Sequence, residues 1–156
     1  MHGNSKQRIV PMFKTLCLCG SLVASAAAGQ EFKTYTTDEP FGDVAFAIES
    51  AILSKGLVID HVSYTGAMLE RTRADIGSDV VLFLAADVYE FCSATISREV
   101  MEADRENFNF CPYAIRISER PETAGTITIS HQTYRGTMEP VYALLESIVA
   151  DALGLD

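Results

Sequence analysis

The stretch Phe110-Cys111-Pro112-Tyr113-Ala114-Ile115-Arg116-Ile117-Ser118 decides how this chain is read, together with Thr126-Ile127-Thr128-Ile129 just beyond it. Tyr113, Ile115 and Ile117 alternate with Ala114, Arg116 and Ser118. Ile127 and Ile129 alternate with Thr126 and Thr128. Successive side chains of a strand point to opposite faces, so each run presents one apolar face and one polar face. Pro121 to Gly125 reads as a turn between them. Two runs joined over so short a connection pair antiparallel. The apolar face of the hairpin needs a cover. Its polar face is either wet or paired with another subunit.

The cover is found on both sides of the hairpin. Downstream, Thr137 caps a predicted helix with Val141, Leu144, Leu145, Ile148 and Ala152 facing inward. Upstream, Phe41, Val44, Ile48 and Ile52 recur at helical spacing after the break at Asp38-Glu39-Pro40, and Gly56 supplies the stop. Phe32–Thr37 and Leu57–Tyr64 read as strands. Leu69, Thr72 and Ile76 mark a short helix closed by Gly77. The continuous apolar run Val80-Val81-Leu82-Phe83-Leu84-Ala85-Ala86 reads as a buried strand. Ser93 opens a further helix with Ile96, Val100 and Met101 on one face, and Asp104–Asn107 is a solvated turn. The order is β-α-β-(short α)-β-α-β-β-α. We read it as an α+β two-layer sandwich, a mainly antiparallel sheet covered on one face by two longer helices.

Residues 1–30 follow different rules. Lys6, Arg8 and Lys14 precede the apolar run Leu16–Ala24, which exits through Ser25-Ala26-Ala27-Ala28-Gly29. A basic segment, a short apolar segment and a small-residue exit are the parts of a secretory signal peptide, here residues 1–28, with Met12 offering an alternative start. The apolar segment is shorter than the roughly 20 residues needed to span a bilayer. Cys17 and Cys19 raise a lipoprotein alternative, but large Leu16 and Leu18 precede them. The expectation is a periplasmic or secreted protein with no membrane attachment after cleavage. Residues 30–156 then form a single domain of about 127 residues, large enough for a real core.

Charge narrows the partners. The whole chain carries −9, and the signal holds three of the 12 basic residues and none of the 21 acidic ones, so the mature chain carries −12. Such a surface repels nucleic acid and anionic lipid.

The chemistry-bearing residues are few. Signal removal leaves two cysteines, Cys92 and Cys111, at the two ends of one strand–helix–strand excursion. In an oxidising compartment they form a structural disulfide or a reactive dithiol. Cys92 sits where a helix N-terminus would favour a thiolate, whereas neighbouring Glu90 opposes it. His61 alternates with Leu57 and Ile59, and His131 shares the face of Ile127 and Ile129. Both are ligand-pocket candidates, set against the plainer reading of hydrogen-bonded core residues. No His or Cys spacing specifies a metal set, no pattern names a cofactor, and no catalytic set emerges.

The run Phe91-Cys92-Ser93, then a helix, then Phe110-Cys111-Pro112-Tyr113-Ala114-Ile115-Arg116-Ile117 resembles the domain of unknown function 302 family. Phe41 to Gly56, a helix ending in Lys-Gly and leading into a strand, is similar to that family's start. The resemblance covers roughly residues 32–153. The chain departs from it where Ser93-Ala94 stands in place of a frequent Asn-Pro, and where proline follows Cys111 instead of preceding it. The resemblance implies a TATA-binding-protein-like α+β fold, a homodimer, and no established activity. Some relatives look like exported accessory proteins in redox and sulfur contexts. The expected function is a non-catalytic small-ligand-binding or accessory domain. The alternatives are a thiol-redox or sulfur-handling accessory using Cys92 and Cys111, or a metal or haem binder.

Overall fold

The computed structural model describes residues 31–155; the predicted signal peptide and the alternative start lie outside them. Five strands form one sheet: β1 (Phe32–Thr37), β2 (Val58–Ser63), β3 (Ala85–Cys92), β4 (Tyr113–Glu119) and β5 (Ile127–Gln132). Their spatial order is β1-β5-β4-β3-β2, and every neighbouring pair is antiparallel. Helices α1 (Phe41–Ser54), α2 (Thr65–Arg73), α3 (Ala94–Ala103) and α4 (Glu139–Leu153) complete the fold. It is the expected α+β sandwich.

The period-two reading of the hairpin holds. Ile117 pairs with Ile129 and Ile115 with His131, so apolar side chains of both strands reach the same face. α1 and α4 lie on that face. α1 contributes Val44, Ile48, Ala51 and Ile52, and α4 contributes Val141, Leu145, Ile148 and Val149. With Tyr89, Phe91 and Tyr113 they form one core. The ends of α1 and α4 are tied by an ion pair from Lys55 Nζ to Asp151 Oδ2 at 2.7 Å. Gly154 ends α4 in the left-handed region, φ 63°, where a side chain would be strained.

α3 follows β3 directly and packs against α4. The Ser93 hydroxyl accepts from the Ile96 amide at 3.3 Å, as its position before an apolar helical face predicts. Ser97 Oγ and Tyr113 Oη lie 3.0 Å apart. A 3-10 turn over Arg105–Phe110 follows, and its buried Asn107 donates to the Val100 carbonyl (2.7 Å) and to Thr137 Oγ1 (3.0 Å). Thr137 therefore anchors that turn. It does not cap α4, whose N-cap is Met138 and has no side-chain capping bond.

Two further expectations are corrected. The short helix starts earlier than its apolar spacing indicates, at Thr65, and a turn occupies 74–77. The run Val80–Ala86 is not a buried strand. Residues 78–84 are irregular, and Val80, Val81, Leu82 and Leu84 are exposed. The ladder explains this. β4 ends at Glu119, opposite Ala85, with Arg120 and Pro121 next, and β2 ends at Ser63, opposite Val88. Residues 80–83 outrun both neighbours, and Leu84 keeps a single backbone bond, to the Glu119 carbonyl at 2.9 Å. A run with no ladder partner has no strand to belong to, whatever its composition.

Candidate functional site

Cys92 is the last residue of β3, and Cys111 lies between the 3-10 turn and β4. The final rung of that ladder pairs Phe91 with Tyr113, so antiparallel pairing alone brings the cysteines together. Their Cα atoms are 6.4 Å apart and the sulfurs are bonded, inside the geometric window for a bridge. Both are half-buried. A bridged cysteine is not a thiolate, so the helix-terminus activation expected at Cys92 operates only after reduction.

Beside the bridge, on the sheet face that the helices leave open, is a hollow of about 190 Å³ lined by Glu90, Cys111, Arg116, Gln132 and Tyr134 among others. The Arg116 guanidinium lies 5.3 Å from the centre of the Phe32 ring. It forms no ion pair among the described residues. Burial raises the Tyr134 hydroxyl pKa, and nearby Tyr113 adds to this while Arg116 opposes it.

His131 is completely buried beneath α4. Its Nε2 donates to Glu146 Oε1 at 2.8 Å, and its Nδ1 faces the Gln132 carbonyl at 3.1 Å. Tyr35 Oη donates to the same Glu146 oxygen at 2.7 Å. Burial raises the Tyr35 pKa, reinforced by the hydrogen bond to Glu146 and its charge. This is a satisfied polar network between β1, β5 and α4, and it accounts for His131 as a core residue. His61 does not join it. A bulge at Asp60 breaks the β2 register, so Ile59 pairs with buried Phe91 while His61 pairs with Glu90 on the open face and is exposed. The expected sharing of a face with Leu57 and Ile59 is overturned by that one extra residue. His61 and His131 lie on opposite sheet faces with β3 and β4 between their strands. Among the described residues no three His, Cys, Asp or Glu side chains gather as a metal set.

A second recess with mainly apolar walls lies between α2 and the irregular run. α2 is seated on β3 at Gly66, where a Cβ would lie 2.6 Å from the Ala86 amide nitrogen. Only glycine permits that approach. The helix then stands beside residues 81–87 and leaves a groove of about 460 Å³, walled by Ala67, Val81, Phe83, Leu84, Ala85 and Ala86. Three of its lining residues are polar, Tyr64, Glu70 and Asp87. Glu70 is held by Arg73, which donates from Nε and Nη2 at 3.0 and 2.9 Å. Asp87 has no ion pair or side-chain hydrogen bond among the described residues, and burial raises its pKa. Tyr89 is pushed up to about 12 by burial first, then by the charges of Asp87 and Glu49.

Sequence reasoning missed this groove because it took 80–86 as buried. One signal was available. Counting back by twos from inward-facing Phe91 and Tyr89 puts charged Asp87 on the inner face.

No family model matches the chain, and neither does any curated protein. Among solved structures it is similar to an uncharacterised conserved DUF302 protein from Bacillus stearothermophilus, with a TM-score of 0.61 at 14% identity. The match covers 80% of this chain and 96% of that one. The chain therefore has the fold of a DUF302 protein, the fold that its Cys92 and Cys111 segments resemble.

Proposed function

We propose that this chain is an exported member of the DUF302 family whose domain binds a small ligand without catalysing a reaction, in the groove between α2 and residues 81–87. The groove itself carries the reading. Its walls are mainly apolar and a few polar residues line it, the usual anatomy of a small-molecule site. The leader-like composition of residues 1–28 supports an exported protein. A fragment screen followed by amide chemical shifts tests the binding reading. Hits should cluster at Gly66, Ala67 and Ala86. Hits confined to the Arg116 hollow, or none, would overturn it. A reporter fused after Gln30 should accumulate outside the cytoplasm, and retention inside would refute export.

A homodimer belongs to the same proposal. Among the described residues, the sheet face without helices carries Arg116, Ser118, Thr128, Ser130 and Gln132, polar groups that a second copy would pair with. Light scattering at micromolar concentration should give twice the mature mass; a monomer throughout a dilution series would remove this element.

One observation favours a second reading. Cys111 of the half-buried bridge lines the hollow that holds Arg116, so one end of the bridge meets a recess. Its reduction potential separates the readings. A value below about −300 mV marks a structural bridge, and a higher one marks a labile, functional pair.

A further inference from the structure

We propose that the ligand of the α2 groove is a small apolar molecule carrying a protonated amine, with the Asp87 carboxylate as its counter-ion. This rests on the groove being the binding site and goes further by naming the ligand's chemistry. The walls dictate the apolar part. Ala67, Val81, Phe83, Leu84, Ala85 and Ala86 offer methyl, methylene and ring surface, and about 460 Å³ holds on the order of ten non-hydrogen atoms. The charge dictates the rest. Of the two carboxylates lining the groove, Glu70 is already neutralised by Arg73 through two hydrogen bonds. Asp87 is left with no basic partner among the described residues, in a position where burial penalises its charge.

An anion would meet Asp87 unscreened. A neutral ligand would strip water from Asp87 and return nothing to it. A cation replaces that water with an ion pair in a partly desolvated site, where charge complementarity is most selective. The surroundings agree in sign. Glu49 and Asp87 both act on Tyr89, and Tyr64 lines the same groove with its hydroxyl-bearing ring. No lysine, histidine or arginine lines the groove. Arg73 lines only the adjoining recess along α2, and Glu70 occupies it.

Three probes of matched length separate the possibilities: hexylamine, 1-hexanol and hexanoate, each titrated into the isotopically labelled mature protein at pH 7. The amides of Gly66, Ala67 and Ala86 report on the groove. Hexylamine should bind about tenfold more tightly than hexanol, with hexanoate weakest. Asp87→Asn should bring hexylamine down to the hexanol affinity and leave hexanol unchanged. Equal affinity for hexylamine and hexanol in the wild type would overturn the amine while leaving the groove as the site. A hexylamine preference that survives Asp87→Asn would overturn the role of Asp87. No response at these amides from any probe would overturn the groove itself, and with it the binding reading. Amides that respond to protein dilution and not to any probe would assign the groove to a second copy of the chain, which also overturns the proposal.

Discussion

Gly66→Ala and Gly42→Ala make the same chemical change at the same helical position with opposite expected outcomes. Each glycine is the second residue of its helix, Gly42 in α1 and Gly66 in α2. Exchanging glycine for alanine in a helix gains up to about 1 kcal/mol from reduced backbone freedom, and less near the end, so about 0.5 kcal/mol is expected at both. The surroundings then separate them. At Gly42 the new methyl meets nothing within 4 Å. At Gly66 it would lie 2.6 Å from the Ala86 nitrogen, 3.2 Å from the Ala85 carbonyl carbon and 3.4 Å from the Ala86 Cα. All three are backbone atoms of β3, and none can rotate away. Relief requires α2 to move off the strand by most of an ångström. Overpacking of that kind costs about 1–3 kcal/mol. The steric cost exceeds the propensity gain, so Gly66→Ala should destabilise by about 1–2 kcal/mol while Gly42→Ala stabilises by about 0.5 kcal/mol. Urea denaturation of the mature protein measures both, and amide shifts at Ala85 and Ala86 should change only for Gly66→Ala. Two variants that shift the urea midpoint in the same direction by the same amount would show that α2 is not seated on β3 as described. The groove would then have no fixed floor.

Three further outcomes are expected. Replacing both bridged cysteines with serine releases a loop spanning a separation of 19 residues, which should cost about 3 kcal/mol and lower Tm by about 10 °C in a thermal melt; an unchanged melt would show that the bridge adds no stability. Glu146→Ala takes the shared acceptor from Tyr35 and buried His131 and should cost about 2 kcal/mol by urea denaturation, tempered by the partial exposure of Glu146; Tyr35→Phe, which removes one of the two donors, should cost less. Asp87 titrates above its ordinary 3.8 because burial disfavours its charge, so the folded state binds its proton more tightly than the unfolded state does, and the resulting contribution to stability is present at low pH and lost as pH rises from 3.8 through the raised value. Asp87→Asn should therefore match the wild type near pH 3 and melt about 1–2 °C higher at pH 7, a small gain because the groove is open to solvent; equal melts at both pH values would remove the desolvation account.

Much of the fold was legible because its signals are local. Period-two alternation at Tyr113–Ile117 and Ile127–Ile129 shows the face of β4 and β5 on any antiparallel pairing, and it placed both strands correctly. Spacing of three and four residues in Phe41–Ile52 and Val141–Ile148 identified α1 and α4 and the faces they bury. Ser93 was recognisable as a cap because its partner amide is three residues away. Cys92 and Cys111 were readable as neighbours because one strand–helix–strand excursion returns the chain to its starting end.

The candidate site was not legible, for one physical reason. Whether a segment is covered depends on where its neighbours in space stop, and those neighbours are distant in sequence. Val80–Leu84 has the composition of a buried strand, but β2 and β4 end before reaching it, so it is exposed and walls the groove. A single bulge at Asp60 moved His61 from the inner face to the outer, a change set by pairing with β3 and invisible to alternation. Residue types and their spacing determined β4, β5, α1, α4, the faces these bury and the proximity of Cys92 to Cys111. The ladder ends, the bulge and the close approach of Gly66 to Ala86 exist only between elements, and tertiary structure alone decided which apolar surface was left uncovered.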